Sequence, residues 1–309
     1  MLIGKKMGVS ARDRLSHIAR ELLFPYQERF LQVLETEMSK KAEELQVKEA
    51  CYYALSSKGK RLRPALVWMV AAALGQERAV DQAAVAVEMF HVSSLIIDDL
   101  PCMDDDDFRR GLPSTHRAFS EETAILASFA LTAWGFELLS QHAVPEKQKE
   151  EVLRQSVFRA SRAVGLDGLI GGQWLDLSAE KTTREKLYEI VDRKTGVLFE
   201  LSFLLGWLFG GGAVERSDRV LEAAREFGRA FQLIDDLDDL EQDKKAEKTI
   251  NFALQYGVGE TCQRIVEHVE RFKAFVSDLG LELLPLLRLA QAMSRVAEEV
   301  SGDLKQPDK

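Results

Sequence analysis

Residues 94–111, SLIIDDLPCMDDDDFRRG, place six aspartates and two arginines directly behind an apolar run. Residues 231–243, FQLIDDLDDLEQD, set paired aspartates behind Phe231. Asp235 and Asp239 stand at i, i+4, so on a helix their Cβ atoms lie about 5–6 Å apart. Like charges at that spacing cost a helix roughly 0.2–0.5 kcal/mol unless a cation bridges them. The candidate ligands are carboxylate oxygens alone, a hard set that suits Mg2+ rather than zinc. Mg2+ keeps several waters and binds through one or two carboxylates plus phosphate oxygens. Two carboxylate pairs on separate helices would suit a cluster of Mg2+ ions with a diphosphate between them.

The cations fit the same chemistry. Residues 59–64, GKRLRP, supply Lys60, Arg61 and Arg63 in a turn introduced by Gly59 and ahead of Pro64. Arg109 and Arg110 follow the first acidic run, and Lys194 sits beside Thr195 in DRKTG, residues 192–196. Arginine forks phosphate oxygens bidentately, whereas lysine acts as a point charge. Together they would make a second anion site without a metal.

These side chains must be held by helices. Rotation of about 100° per residue brings His91, Ser94 and Asp98 near one helix face. Asp99 follows, and Pro101 then disrupts the helix by removing an N–H and restricting Leu100. Asp104 lies beyond the break, where the chain can fold back and aim its carboxylate near Asp98. Val85, Met89, Val92 and Ile96 form the apolar stripe of the same helix. Similar apolar density recurs near 14–38, 64–74, 122–140, 150–165, 184–209, 217–240 and 262–275. Breaks carry Gly, Pro or charge runs, among them GLDGLIGGQ at 165–173 and FGGGAV at 209–214. No strand-like alternation persists. The expected architecture is all-α, about ten helices in a single domain over residues 1–309.

A chain of 309 residues with 46% hydrophobic and 29% charged residues is globular in composition and long enough for a large core. Its net charge of −9 lacks the basic footprint that nucleic-acid binding requires. Cys51, Cys102 and Cys262 have unrelated spacings, neither a disulfide framework nor a zinc site. No signal-like apolar stretch follows MLIGKKMGVS, so a cytoplasmic location is expected. The most membrane-like stretch, residues 197–214, is interrupted by Glu200 and ended by glycines. It reads as a wholly buried helix rather than a span. Residues 199–210 are apolar all round, and a twofold partner is the expected cover, giving a homodimer.

The chain resembles the all-trans short-chain prenyl diphosphate synthases, the group containing farnesyl and geranylgeranyl diphosphate synthases. GKRLRP is similar to that family's first basic motif, and EMFHVSSLIIDDLPCMDDDDFRRG to its first aspartate-rich motif. GGQWLDL, DRKTG and FQLIDDLDDLEQD follow in the family's order. The resemblance implies an isoprenoid synthase type I fold, a helical bundle around a central apolar cavity. It implies that Asp98, Asp99 and Asp104, with Asp235, Asp236 and Asp239, hold Mg2+, three ions once substrate is bound. Arg109, Lys194 and Thr195, with Gln232 nearby, would grip the allylic diphosphate. Lys60, Arg63, His91 and Arg110 would bind isopentenyl diphosphate, and Gln173 and Asp176 would line the site. Two departures stand out. Ile97 occupies a position where many relatives carry His. The loop after the second aspartate motif is short, so the family's loop lysine could be Lys244, Lys245 or Lys248.

The implied reaction is ionisation of an allylic diphosphate (dimethylallyl, geranyl or farnesyl), attack by the isopentenyl double bond, and proton loss to released pyrophosphate. Three rivals share some of the features: a non-catalytic regulatory subunit, a class I terpene cyclase and a calcium-binding scaffold. The first normally lacks one acidic cluster, and neither the second nor the third has a use for Lys60, Arg63 and Arg110. Product length would be set where the tail runs back along the helix carrying Asp98. In relatives making fifteen-carbon chains a bulky aromatic commonly fills the position of Ser93 or Ser94. Two serines leave that floor open, moving the stop toward Phe90, a helix turn of about 5.4 Å further on. A twenty-carbon product is therefore expected, with fifteen carbons the alternative.

Overall fold

The computed structural model describes residues 11–41, 45–142, 149–178, 183–245 and 250–305. Among the described residues every regular element apart from a short two-stranded hairpin is helical. Backbone contacts sort the chain into two compact units, each assembled from separate segments.

The first unit, Leu23–Gly165 with Leu201–Asp218, is organised around a helix that meets protein on nearly all sides. It takes most of α1 (Ala11–Ser39), then α2 (Gln46–Ser56), α3 (Leu62–Ala73) and α4 (Asp81–Asp98). Next come β1 (Phe108–Arg109), β2 (Leu112–Pro113), α5 (Thr115–Ala118), α6 (Glu121–Ser140) and α7 (Lys149–Val164). Along α4 every residue from Ala83 to Phe90 is buried, against α2, α3 and α6. An isolated amphipathic stripe therefore understates α4. It is the core of the unit, and its C-terminal end delivers the aspartates.

The second unit carries α8 (Leu169–Ser178), α9 (Arg184–Val191), a single π-helical turn at Asp192–Gly196 and the start of α10 (Val197–Phe209). It continues through most of α11 (Ser217–Asp238), then α12 (Leu240–Lys245), α13 (Phe252–Tyr256), α14 (Val258–Leu279) and α15 (Leu284–Lys305). On α11, Val220, Ala223, Ala224, Phe227, Ala230 and Ile234 are buried at the three- and four-residue steps of one helical face. Phe227 meets Phe272 of α14 edge-on, ring centroids 5.3 Å apart.

Three expectations change. Helices at 46–56, 169–178 and 284–305 join those expected, and the break expected at GLDGLIGGQ is confined to residues 165–168, with Gly171 and Gly172 taken into α8. Secondly, the apolar run at 197–214 needs no second chain for cover. Leu198, Phe199, Leu201, Phe203, Leu204, Leu205, Trp207 and Leu208 are at most 3% exposed within one chain. Burial raises the pKa of Glu200, which interrupts the run, and Arg225 answers its charge at 3.0 Å. Thirdly, among the described residues the helix long and apolar enough to cross a membrane is α6, not α10. One such helix is weak evidence for a span, because a core helix passes the same test, and Ala124, Ala127, Leu131 and Leu138 of α6 are buried.

Candidate active site

The end of α4 shows why its two aspartates have different fates. Consecutive helical residues are rotated by about 100°, so Asp98 and Asp99 cannot face the same way. Asp98 is half-buried and Asp99 is buried. Beyond Pro101 the chain returns, and Asp104 N–H donates to the Asp98 carbonyl at 2.9 Å, bringing exposed Asp104 back beside Asp98. The Asp99 carboxylate turns inward instead. It accepts from Arg109 Nε at 2.7 Å and also from Nη2, while Arg109 Nη2 reaches Asp106 at 2.7 Å. Burial pushes the Asp99 carboxyl up, and the Arg109 guanidinium opposes that shift. Asp99, expected to be a metal ligand, is held here by Arg109 of the β1–β2 hairpin.

That hairpin turns at Arg110 and Gly111, whose φ angles are +56° and +81°. Two left-handed residues suit a tight turn that follows the twist of the strands. Arg109 is thereby sent to the acidic motif and Arg110 to the basic one. In the basic cluster, Arg63 Nη1 donates to His91 Nε2 at 3.3 Å. A guanidinium can only donate, so His91 accepts through Nε2. Burial first, and then Arg63, Arg110, Arg61 and Arg109, hold the His91 pKa well below its ordinary value. Lys60 is half-buried beside them. Arg61 is buried and donates to Leu55 O at 2.5 Å, to Ser57 O and to Glu88 at 2.7 Å. The sequence reading missed Glu88. Its signal was a carboxylate inside the apolar run of α4, three residues before His91 and so on the same face.

In the second unit the same division recurs. Asp239 N–H donates to the Asp235 carbonyl at 2.9 Å, so the two stand one turn apart on one face, both half-buried. Asp236 turns in. It accepts from Gln232 Nε2 at 3.0 Å and from the Phe252 N–H at 2.8 Å, capping the start of α13. Burial raises its pKa to about 6 despite those two donors. Asn251 ties the same region together, donating to Asp236 O at 2.8 Å and to Asp243 at 3.0 Å. Asp236, expected to hold Mg2+, and Gln232, expected near the allylic diphosphate, are engaged with each other. Lys244 and Lys245 end α12 and are exposed; Lys248 lies outside the described residues.

Lys194 and Thr195 sit in the π-helical turn, an uncommon element often found at functional sites. Asp176 of α8 forms an ion pair with Lys194 Nζ, and Arg229 grips Asp192 of the same turn through two hydrogen bonds of 2.9 and 2.6 Å. Gly172 makes the contact possible, since a Cβ there would lie 2.5 Å from Lys194 N. The Gln173 amide has both polar atoms shielded from solvent and without a hydrogen-bond partner. An unsatisfied buried amide costs about 1–3 kcal/mol, a penalty that a polar ligand would relieve. Of the chain-length residues, Ser93 is buried in the contact between α4 and α6. Its hydroxyl donates to Phe90 O at 2.8 Å and accepts from Thr132 at 3.2 Å, and its carbonyl accepts from Ser128 at 2.9 Å. Ser94 is half-buried, and Phe90 packs on Phe136 with centroids 5.0 Å apart.

Among the described residues no three His, Cys, Asp or Glu side chains converge on one point. Each acidic motif instead offers a carboxylate pair, Asp98 with Asp104 and Asp235 with Asp239. Such all-oxygen pairs fit Mg2+, which completes its shell with waters and phosphate oxygens.

Residues 44–251 match the polyprenyl synthetase family. Geranylgeranyl pyrophosphate synthase 4 of Arabidopsis thaliana is 40% identical over 244 residues, 77% of this chain and 64% of its own length. The mitochondrial geranylgeranyl pyrophosphate synthase 6 of the same plant is 39% identical over 269 residues, 80% of this chain and 79% of its own. The match thus spans less than two thirds of the first of these relatives. Among solved structures, a geranyltransferase from Legionella pneumophila superposes with a TM-score of 0.79 at 29% identity, covering 91% of this chain and 98% of that one. An FPP/GFPP synthase from Zymomonas mobilis gives 0.69 at 29% identity, covering 94% and 98%.

Proposed function

The chain belongs to the polyprenyl synthetase family, and from that premise we propose that it is a Mg2+-dependent prenyltransferase. It joins isopentenyl diphosphate head-to-tail to dimethylallyl, geranyl or farnesyl diphosphate. The observation that carries the reading is the β1–β2 hairpin. Its consecutive arginines diverge, Arg109 to Asp99 and Asp106 of the acidic motif and Arg110 toward Glu88 and the cluster of Arg61, Arg63 and His91. A condensation of two diphosphates needs one site that loses pyrophosphate and one that keeps it.

Bound at Asp98 and Asp104 and at Asp235 and Asp239, Mg2+, in three ions when substrate is present, would offset charge on the departing pyrophosphate. Arg109 would add fixed positive charge beside the first acidic motif and Lys194 within its own unit, where the unpartnered Gln173 amide offers a hydrogen bond to a diphosphate or its waters. Thr195 stands next to Lys194 for the same role. Lys60, Arg63 and Arg110 hold isopentenyl diphosphate by its charged end, with neutral His91 aligned through Arg63, so that its double bond lies against the allylic carbon. As the allylic C–O bond breaks, the isopentenyl π-electrons form the new C–C bond. Loss of a proton to the released pyrophosphate then leaves a trans double bond. Apolar helix faces exclude the water that would quench the cation.

Incubation with Mg2+, dimethylallyl and isopentenyl diphosphates, followed by product extraction, tests this reading. A regulatory subunit or calcium scaffold gives no condensation, and a terpene cyclase gives hydrocarbon without using isopentenyl diphosphate. Replacing Lys60 or Arg63 with Ala should chiefly raise the KM for isopentenyl diphosphate, because binding shared by ground and transition states moves KM more than kcat. An increase confined to the allylic KM would mean the subsites are exchanged.

A twenty-carbon product, geranylgeranyl diphosphate, is the expected stop, with farnesyl diphosphate the alternative. With Ser93 filling the α4–α6 contact, Ser94 is the position at which an aromatic ring would shorten the tail. Ser94→Tyr should give mainly fifteen carbons by chromatography of the dephosphorylated products, whereas Ser93→Tyr should lower thermal stability first. A wild-type enzyme that stops at farnesol with excess isopentenyl diphosphate would refute the open floor.

The homodimer now rests on α6. Ile125, Leu126 and Phe129 are 37%, 55% and 70% exposed on one side of that helix, a continuous apolar face. Light scattering at micromolar concentration should give twice the chain mass, and Phe129→Glu should reduce it to one. A cytoplasmic location accords with three unpaired cysteines, two of them buried; cell fractionation checks it.

A further inference from the structure

Glu88 lies in the middle of α4 and is 1% exposed. Buried carboxylates persist only when paired and hydrogen-bonded. Arg61 Nη1 donates to Glu88 Oε1 at 2.7 Å, and Arg110 Nη1 stands 3.8 Å from the same oxygen. These two arginines reach it from distant stretches of chain, the turn before α3 and the tip of the hairpin. Both have left-handed backbones, with φ of +51° and +56°. A residue bearing a side chain stays in that conformation only where its surroundings enforce it, and such residues cluster at functional sites. Gly59 lies between the two guanidinium groups, because a Cβ there would be 2.7 Å from Arg110 Nη1 and 2.8 Å from Arg61 Nη1.

The two arginines are used differently. Arg61 spends its other donors on Leu55 O and Ser57 O, so its charge is built into the fold. Arg110 is attracted to Glu88 across a distance too long for a hydrogen bond, which orients it without consuming its N–H groups. Arg61 and Arg110 face the Glu88 carboxylate, and beside them Arg63 donates to His91, which is held neutral. Without Glu88, Arg61 and Arg110 would repel each other at close range inside the protein.

Building on the reading of this cluster as the isopentenyl diphosphate subsite, we propose that Glu88 is its positioning residue. Glu88 touches no substrate. It pins Arg61 and, through the shared oxygen, sets where the Arg110 guanidinium meets the diphosphate.

The test is titration of isopentenyl diphosphate without Mg2+ by calorimetry, together with steady-state kinetics and thermal melts. Glu88→Gln keeps size and hydrogen bonding but removes the charge. The expected result is a KM and a Kd for isopentenyl diphosphate raised about tenfold to a hundredfold, the loss of one charged hydrogen bond. The allylic KM should be unchanged and kcat should change by a smaller factor. In an Arg110→Gln background Glu88→Gln should add little, since the effect passes through Arg110. If Glu88→Gln does not fold, Glu88→Asp serves, retaining the charge but withdrawing it by one methylene; its KM should lie between the two. Equal increases in both substrates' KM with a lowered melting temperature would overturn the proposal, showing a structural role alone. So would tighter isopentenyl diphosphate binding, or a Glu88→Asp KM equal to wild type. Absence of binding by the wild-type protein would overturn the subsite reading itself, whereas wild-type binding that Glu88→Gln leaves unchanged would overturn only the role of Glu88.

Discussion

Asp98→Ala and Asp235→Ala should each lower kcat by about a hundredfold to a thousandfold at saturating Mg2+, with melting temperatures close to wild type. Loss of one preorganised stabiliser of developing charge costs about 2.7–4 kcal/mol, and each substitution dismantles the carboxylate pair of its motif. Their neighbours make the internal control. Asp99→Ala strips Arg109 of its buried partner, and Asp236→Ala leaves the Phe252 N–H and Gln232 unanswered. Those variants should lose about 1–3 kcal/mol of stability each, or several degrees of melting temperature in a chain of this size. Single-turnover kinetics alongside calorimetric melts separate the two classes. If Asp98→Ala keeps half of wild-type turnover, or melts earlier than Asp99→Ala, the division into outward ligand and inward anchor is wrong.

Gly172→Val should be nearly as damaging, although position 172 carries no functional group. A Cβ there would lie 2.5 Å from Lys194 N, 2.7 Å from Arg193 C and 2.8 Å from Lys194 Cα. All three are backbone atoms, so no side chain can swing aside and α8 must part from the π-helical turn. Overpacking of this kind costs about 1–3 kcal/mol. Misplacing Lys194 by about 1 Å can cost a hundredfold in rate. The expected outcome is a folded protein with a lowered melting temperature and kcat reduced about a hundredfold, and Gly172→Ala in between. Asp176→Asn offers a milder comparison, loosening Lys194 without moving α8. A Gly172→Ala enzyme with wild-type kcat would show that Lys194 does not depend on this close approach.

Much of the molecule was legible in the residues themselves. The i, i+4 step from Asp235 to Asp239, the chain break at Pro101 and the return of Asp104 to Asp98 are local events. They follow from helical rotation and proline geometry, so spacing alone predicts them. The all-α class was legible for the same reason, since apolar periodicity is a property of neighbouring residues. At GLDGLIGGQ the chain breaks as expected over 165–168, but Gly171 and Gly172 belong to α8, because a weak helix former is tolerated where a second backbone must come close, and no local pattern announces that neighbour.

Tertiary structure decided which member of each aspartate pair turns inward, because the choice depends on Arg109 and Phe252, partners 10 and 16 residues away in sequence. It decided that Ser93 belongs to the α4–α6 contact and that the apolar run in α10 is covered within one chain. It also decided the meaning of Glu88. A lone acid in an apolar helix carries no information about its partner, since burying a charge is costly unless opposite charges arrive from elsewhere in the fold. Spacing along a chain fixes which side chains share a face; what each face meets is set by long-range packing, and there the sequence is silent.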